Sequence, residues 1–147
     1  MSSWQTSLED LRVFGDPAPQ GSKKLIPTRQ GPRMLESSGP RLKAWRKAVS
    51  AAARESWQGR DPLEGPIKLE LLFFLRRPKT SKLLKPISRP DLDKLIRGVG
   101  DALTVDAGIL GDDSRIVDLR ARKEWASEIS PPGLILSLSE LLEEALA

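Results

Sequence analysis

Asp91 and Asp93 form a D-x-D pair after Pro90, Arg97 follows four residues on, and a second acidic pair, Asp112-Asp113, comes directly after Gly111. Carboxylates held at short range repel one another unless a hard cation neutralises them, and oxygen donors of this kind suit Mg²⁺ or Mn²⁺ rather than zinc. Mg²⁺ keeps waters and completes its shell with substrate phosphate. A guanidinium and a helix N-terminus draw phosphate to the same corner. The chemistry that suits this set is metal-assisted phosphodiester hydrolysis, in which the ion generates and orients hydroxide and stabilises charge on the phosphate and leaving oxygen. Each motif alone has a plainer use. D-x-D opening a helix serves as a cap with a dipole-friendly acid, Asp112-Asp113 as a solvated turn, and Asp93 with Arg97 as a surface pair worth about 0.3–0.5 kcal/mol. Their joint spacing favours a site.

The elements that must position these groups are legible. A helix over 92–107, at about 100° per residue, gathers Leu92, Leu95, Ile96, Val99 and Leu103 on one stripe for the core. Asp93, Arg97 and Asp101 then follow at i, i+4 and i+8 along its flank. Asp91, fixed behind Pro90, is expected in extended conformation at the N-cap, from which both carboxylates of D-x-D can reach one ion. Gly108 ends the helix, and Gly111-Asp112-Asp113 turns the chain into a strand, returning the second acidic pair toward the first.

Pro90-Asp91-Leu92-Asp93, then Asp101-Ala102-Leu103, then Gly108 and Asp112-Asp113-Ser114-Arg115-Ile116-Val117, resembles the signature of the RusA-like crossover junction endodeoxyribonucleases, Holliday junction resolvases of bacteriophages and prophages. The likeness is strongest over about residues 90–125, and Phe14 through Lys23 is similar to the opening of phage members. The resemblance implies that Asp91, Asp93 and one of Asp112 or Asp113, here Asp113 with Asp112 beside it, bind catalytic Mg²⁺. It also implies a homodimer that makes paired nicks across a four-way junction. Arg97 stands where the family commonly has a catalytic lysine, keeping the charge but not the readily shifted pKa. Lys94 stands where asparagine often follows the second aspartate. A catalytically impaired module that holds branched DNA, and a flap or duplex nuclease of the same fold, are the alternatives.

The 147 residues suit one domain, 1–147. Cysteine and histidine are both absent, so disulfides, thiolate sites, imidazole ligands and imidazole bases are excluded and any metal must be held by oxygen. No apolar run is long enough for a membrane span and no signal-peptide pattern opens the chain, so a soluble, cytoplasmic protein is expected. The net charge of +4 conceals an asymmetry: residues 20–89 hold 17 Lys/Arg against 5 Asp/Glu, the rest 7 against 15. A basic half of this kind fits a nucleic-acid partner bound with counterion release.

Leu11–Phe14 reads as a short first strand. The basic, Gly- and Pro-rich segment 16–40, with an extended piece near 33–36, is expected to act as an arm in which Lys23 and Lys24 contact DNA, or as an idle connector. Residues 40–57 have helical spacing, with Leu42, Trp45 and Val49 on one stripe and Lys43, Arg46 and Lys47 on the other; Trp45 and Trp57 are read as packing residues. Ile67–Leu75 is the strongest strand and should be central. The loop after it carries Arg76, Arg77, Lys79, Lys82, Lys85 and Arg89 and no acid, and with Lys94 it supplies phosphate contacts beside the aspartates. Val117, Leu119, Ala121 and Trp125 alternate with polar residues as in a strand with one wet face, where Arg120 and Arg122 add phosphate contacts. Leu134–Leu136 is expected to be a last strand, followed by an acidic C-terminal helix capped by Ser137 with Glu140 and packed by Leu141, Leu142 and Leu146. The architecture expected is α+β: a mixed sheet of four or five strands with two or three helices.

Overall fold

The computed structural model describes residues 2–21, 23–36 and 39–143, without side-chain detail at 2, 23–26, 33–36 and 143. The elements are β1 (Ser2–Phe14), β2 (Lys23–Ile26), β3 (Arg33–Glu36), α1 (Gly39–Trp57), β4 (Ile67–Leu75), α2 (Leu92–Asp101), β5 (Ile116–Trp125) and β6 (Gly133–Glu143). β1, β6, β4 and β5 form one mixed sheet in that order, with only the β4–β5 pair parallel, and β2 and β3 make a separate hairpin. The fold is α+β.

β4 lies inside the sheet because it is apolar along one whole face: Ile67, Leu69, Leu71, Phe73 and Leu75 are buried. That face meets α1 through Leu42, Trp45, Val49, Ala53 and Trp57, and α2 through Leu95 and Val99, in one core cluster. α2 runs from the extended Asp91 into a π-helical turn at Ala102–Asp106 and ends before Gly108, whose φ of +65° suits glycine. Helix existence, stripe and stop follow the sequence pattern.

Three expectations are corrected. β1 is far longer than Leu11–Phe14; it bends past register shifts at Leu8 and keeps pairing with β6 as far as Ser2. Among the described residues no helix follows Leu136: β6 continues to Glu143, paired with β1 on one side and β4 on the other. The alternation of buried Leu134, Leu136 and Leu138 with Ile135 and Ser137 is a strand period, and two ladders of hydrogen bonds outweigh a cap-like Ser137/Glu140 pair. Glu140 accepts a bond from the Gly65 N–H at 3.0 Å instead; Leu146 lies outside the described residues. Finally, β5 is one of the two edges of the sheet, and Val117 and Leu119, expected on its dry side, are 64% and 44% exposed.

Within the segment 16–40, the extended piece near 33–36 is the second strand of the β2–β3 hairpin. Gly133 opens β6 where a Cβ would collide with the Val13 carbonyl oxygen, so the tight β1–β6 contact requires glycine.

Candidate active site

The two acidic pairs are anchored to β5 from opposite ends. Lys123 Nζ donates to the carbonyls of Ser88 and Pro90 at 2.8 and 2.9 Å, fixing the chain that leads into Asp91 and α2. The later pair follows a segment pinned by backbone bonds from Leu63 N to Ile109 O and Gly111 N to Leu63 O, at 2.8 and 3.2 Å, and by Arg115 donating to the Glu64 carbonyl at 2.7 Å. Asp112 then accepts the Ser114 N–H at 3.1 Å, closing a one-turn 3-10 helix over Asp113–Arg115 that launches β5.

Between these anchors lies a cavity of about 610 Å³, walled by Ile96, Arg97, Gly100 and Asp101 of α2, by Asp113, and by Ile116, Val117 and Leu119 of β5. Gln20 and Gly21 close one side, with Gln20 N bonded to the Lys94 carbonyl at 3.0 Å. Gly98 allows this approach, since a Cβ there would touch the Ala18 carbonyl oxygen at 3.4 Å. The exposed Val117 and Leu119 are therefore the apolar floor of the cavity.

The electrostatics centre on Asp113. Its carboxyl is held above the ordinary value by the hydrogen bond it shares with Asp112, then by burial and the charges of Asp112 and Asp101. Asp112 is held below it, chiefly by the Ser114 N–H and then by the Asp113 bond. Asp112 and Asp101 thus both bear on Asp113. Asp101 is held from behind: Arg46 of α1 lies 3.9 Å from its carboxylate and grips Asp106 through Nε and Nη2 at 2.8 and 2.9 Å, while Arg54 donates to the Asp106 carbonyl. Arg97 makes no ion pair among the described residues and lines the cavity as a free cation.

Asp91 and Asp93 stand differently. Asp91 is the extended N-cap expected for it, its carboxylate 3.7 Å from Lys94, on the far side of the α2 start. Asp93 is exposed and unpaired among the described residues. It sits two turns, about 12 Å along the axis, before Asp101. Among the described residues no three acidic side chains form a ready cage for an ion.

A family model described as "Endodeoxyribonuclease RusA" matches residues 15–135. The chain belongs to the RusA endodeoxyribonuclease family. It is also 28% identical over 128 residues to the uncharacterized protein YqaN of Bacillus subtilis (strain 168), covering 79% of this chain and 87% of that one. A RusA-family chain is a DNA endonuclease. Without Cys or His, any metal here would be held by oxygen donors, of which Asp113, Asp112 and Asp101 lie at this end of the cavity.

The basic residues of this RusA-family chain divide into groups. Arg77, Lys79, Lys82 and Arg89 line the loop before α2 without ion pairs among the described residues, whereas Arg76 pairs with Asp16 and Lys85 with Glu124, at 2.8 and 2.7 Å. The loop is tied to β5 by the Trp125 indole N–H donating to Leu83 O at 3.0 Å. Arg120 and Arg122 alternate with Leu119 and so lie on the sheet face turned away from the cavity. Lys23 and Lys24 are on β2, their side chains outside the described residues. Sequence reasoning placed Asp101 on the correct flank but not among the proposed ligands, and it missed Lys123, Arg46 and the Gln20-Gly21 wall. No local pattern marks those contacts, which span 33 to 60 residues for Lys123 and Arg46.

Proposed function

We propose that the protein is a Mg²⁺-dependent, structure-selective endonuclease that resolves four-way junctions or other branched DNA by paired nicks, working as a homodimer, with Mn²⁺ able to replace Mg²⁺. The observation that carries this reading is a cavity that brings Asp101, Asp113 and Arg97 together in a chain of the RusA endonuclease family. Asp91, Asp93, Asp112 and Asp113 are the proposed ligands. Because Mg²⁺ takes few protein ligands and fills its shell with water and phosphate, an incomplete cage is compatible with a site finished by substrate. The ion supplies an activated water and charge stabilisation at the phosphate.

The chain's own residues do the rest. Arg97 draws a phosphate into the cavity and holds it by charge and its planar fork of donors. Arg46 keeps Asp101 facing Asp113, and Lys123 keeps the Asp91–Asp93 segment seated against β5. The loop cations Arg77, Lys79, Lys82 and Arg89 hold phosphates flanking the cut and make binding steeply salt-dependent. The same molecule placed twice, about a two-fold axis, gives paired cuts on a two-fold-symmetric junction.

The test is a labelled four-way junction incubated with Mg²⁺ and then with EDTA, with linear duplex and a flap as competitors. Symmetric, metal-dependent nicks resisted by linear competitor are expected. A junction bound but uncut would show a binding module, and equal competition by duplex would remove junction selectivity.

A further inference from the structure

A second groove, of about 1040 Å³, lies on the other side of the α2 start. Its α1 wall is the stripe Arg41, Ala44, Trp45 and Ala48, at i, i+3, i+4 and i+7. Pro17, Pro19, Arg89 and Lys94 also line it, together with the acids Asp16 and Asp91. Two features make it more than a gap. Trp45 is only 2% exposed, so its ring packs in the core and leaves alanine and proline surfaces to face the groove. The rim is cationic, and two of its cations are uncommitted. Arg76 is paired with Asp16 and Lys94 lies near Asp91, but Arg41 and Arg89 make no ion pair or hydrogen bond among the described residues.

The groove also adjoins the carboxylate cavity. Gly21 lines both, and the Gln20 N–H bond to Lys94 O holds that short segment against α2 as their common wall. A chain whose phosphate sits by Arg97 can therefore continue past Gly21 into the groove. A cationic groove tracks the backbone of a single strand, and the alanine and proline surfaces leave room for unpaired bases. A paired duplex offers only its backbone and gains nothing from those surfaces.

Resting on the nuclease reading, we propose that this groove takes an unpaired stretch of the DNA strand running on from the carboxylate cavity, with Arg41 and Arg89 on its phosphates. The enzyme would then select branched DNA partly because branch points supply such unpaired nucleotides.

The experiment measures binding alone, in EDTA, with a fluorescein-labelled oligothymidine and a blunt duplex of equal length, by anisotropy over a salt series. Arg41→Glu is expected to weaken oligothymidine binding roughly tenfold and to lower the slope of log affinity against log salt by about 0.7, the value for one phosphate contact on a single strand. Duplex affinity should change less than about twofold, Arg41→Lys should restore the single-strand affinity, and Ala44→Glu, which sets a like charge in the groove, should reproduce the loss. Equal loss on both probes, or no loss on the single strand, overturns the proposal. Junction cleavage is read separately, so its failure would overturn the nuclease reading while leaving this result standing.

Discussion

Arg46 of α1 and Asp106 of the π-helical turn form a two-pronged ion pair, at 2.8 and 2.9 Å, with both side chains partly buried. The π turn ends α2 beside α1, and the same guanidinium lies 3.9 Å from Asp101. Arg46 is thus a positioning residue for the acid that acts on Asp113. Arg46→Ala leaves Asp106 without its partner and is expected to cost about 2 kcal/mol in stability. Chemical denaturation checks this. Arg46→Lys should recover part of the stability but not the paired geometry, because a point charge does not reproduce a planar fork.

The acidic pair gives a pH dependence whose sign is fixed. Asp113, raised in the folded protein, stays protonated to higher pH than an ordinary aspartate, so divalent-ion binding through it falls away as pH drops into that raised range. Asp112, lowered, contributes stability above the ordinary aspartate value that is lost as pH falls through its own folded value; Asp113 contributes with the opposite sign. Carboxyl-carbon NMR should therefore show two steps, one on each side of the ordinary aspartate value. Asp112→Ala removes both the shared hydrogen bond and the partner charge and should bring Asp113 back toward the ordinary aspartate value. A single shared midpoint for both groups in the native protein would contradict the pairing.

Arg97 is expected to serve catalysis more than binding. Arg97→Ala should reduce junction cleavage by roughly a hundredfold or more, as loss of a charge aimed at the transferring phosphate does, while junction affinity in EDTA changes only a few-fold. Arg97→Lys should retain part of the activity, since it keeps the charge but not the planar fork. Gel-shift and single-turnover cleavage on the same substrate separate the two effects.

How far the sequence carried the fold can be judged from three elements. α2 and its stop at Gly108 were legible because an amphipathic stripe and a terminal glycine are local signals. β6 was half legible: Leu134–Leu136 read as strand, but the continuation through Glu143 depends on partners about 70 and 130 residues away in the chain. Val117 and Leu119 have the period of a half-buried strand, yet β5 is a sheet edge and their apolar side lines an open cavity. The site shows the same division. The residue types and the turn at Asp112-Asp113 were visible, whereas the Arg46–Asp101 contact, the Lys123 anchor and the placement of Asp91 and Asp113 on different cavities come only from tertiary packing.

Gly133 offers a stability test free of the chemistry. A methyl at this position collides with the Val13 carbonyl in the β1–β6 pair, so Gly133→Ala should destabilise by on the order of 2 kcal/mol, read from urea denaturation. A neutral result would mean that the first residues of β6 yield easily.

The most direct measurement is Mn²⁺ binding, followed by electron paramagnetic resonance of the free ion, in the native protein, Asp93→Asn, Asp113→Asn and the double variant with junction present. An ion shared between the start of α2 and the turn before β5 requires that each single change weaken binding at least about tenfold and that the double change add little more. Weakened binding in Asp113→Asn with native-like binding in Asp93→Asn would contradict a shared ion.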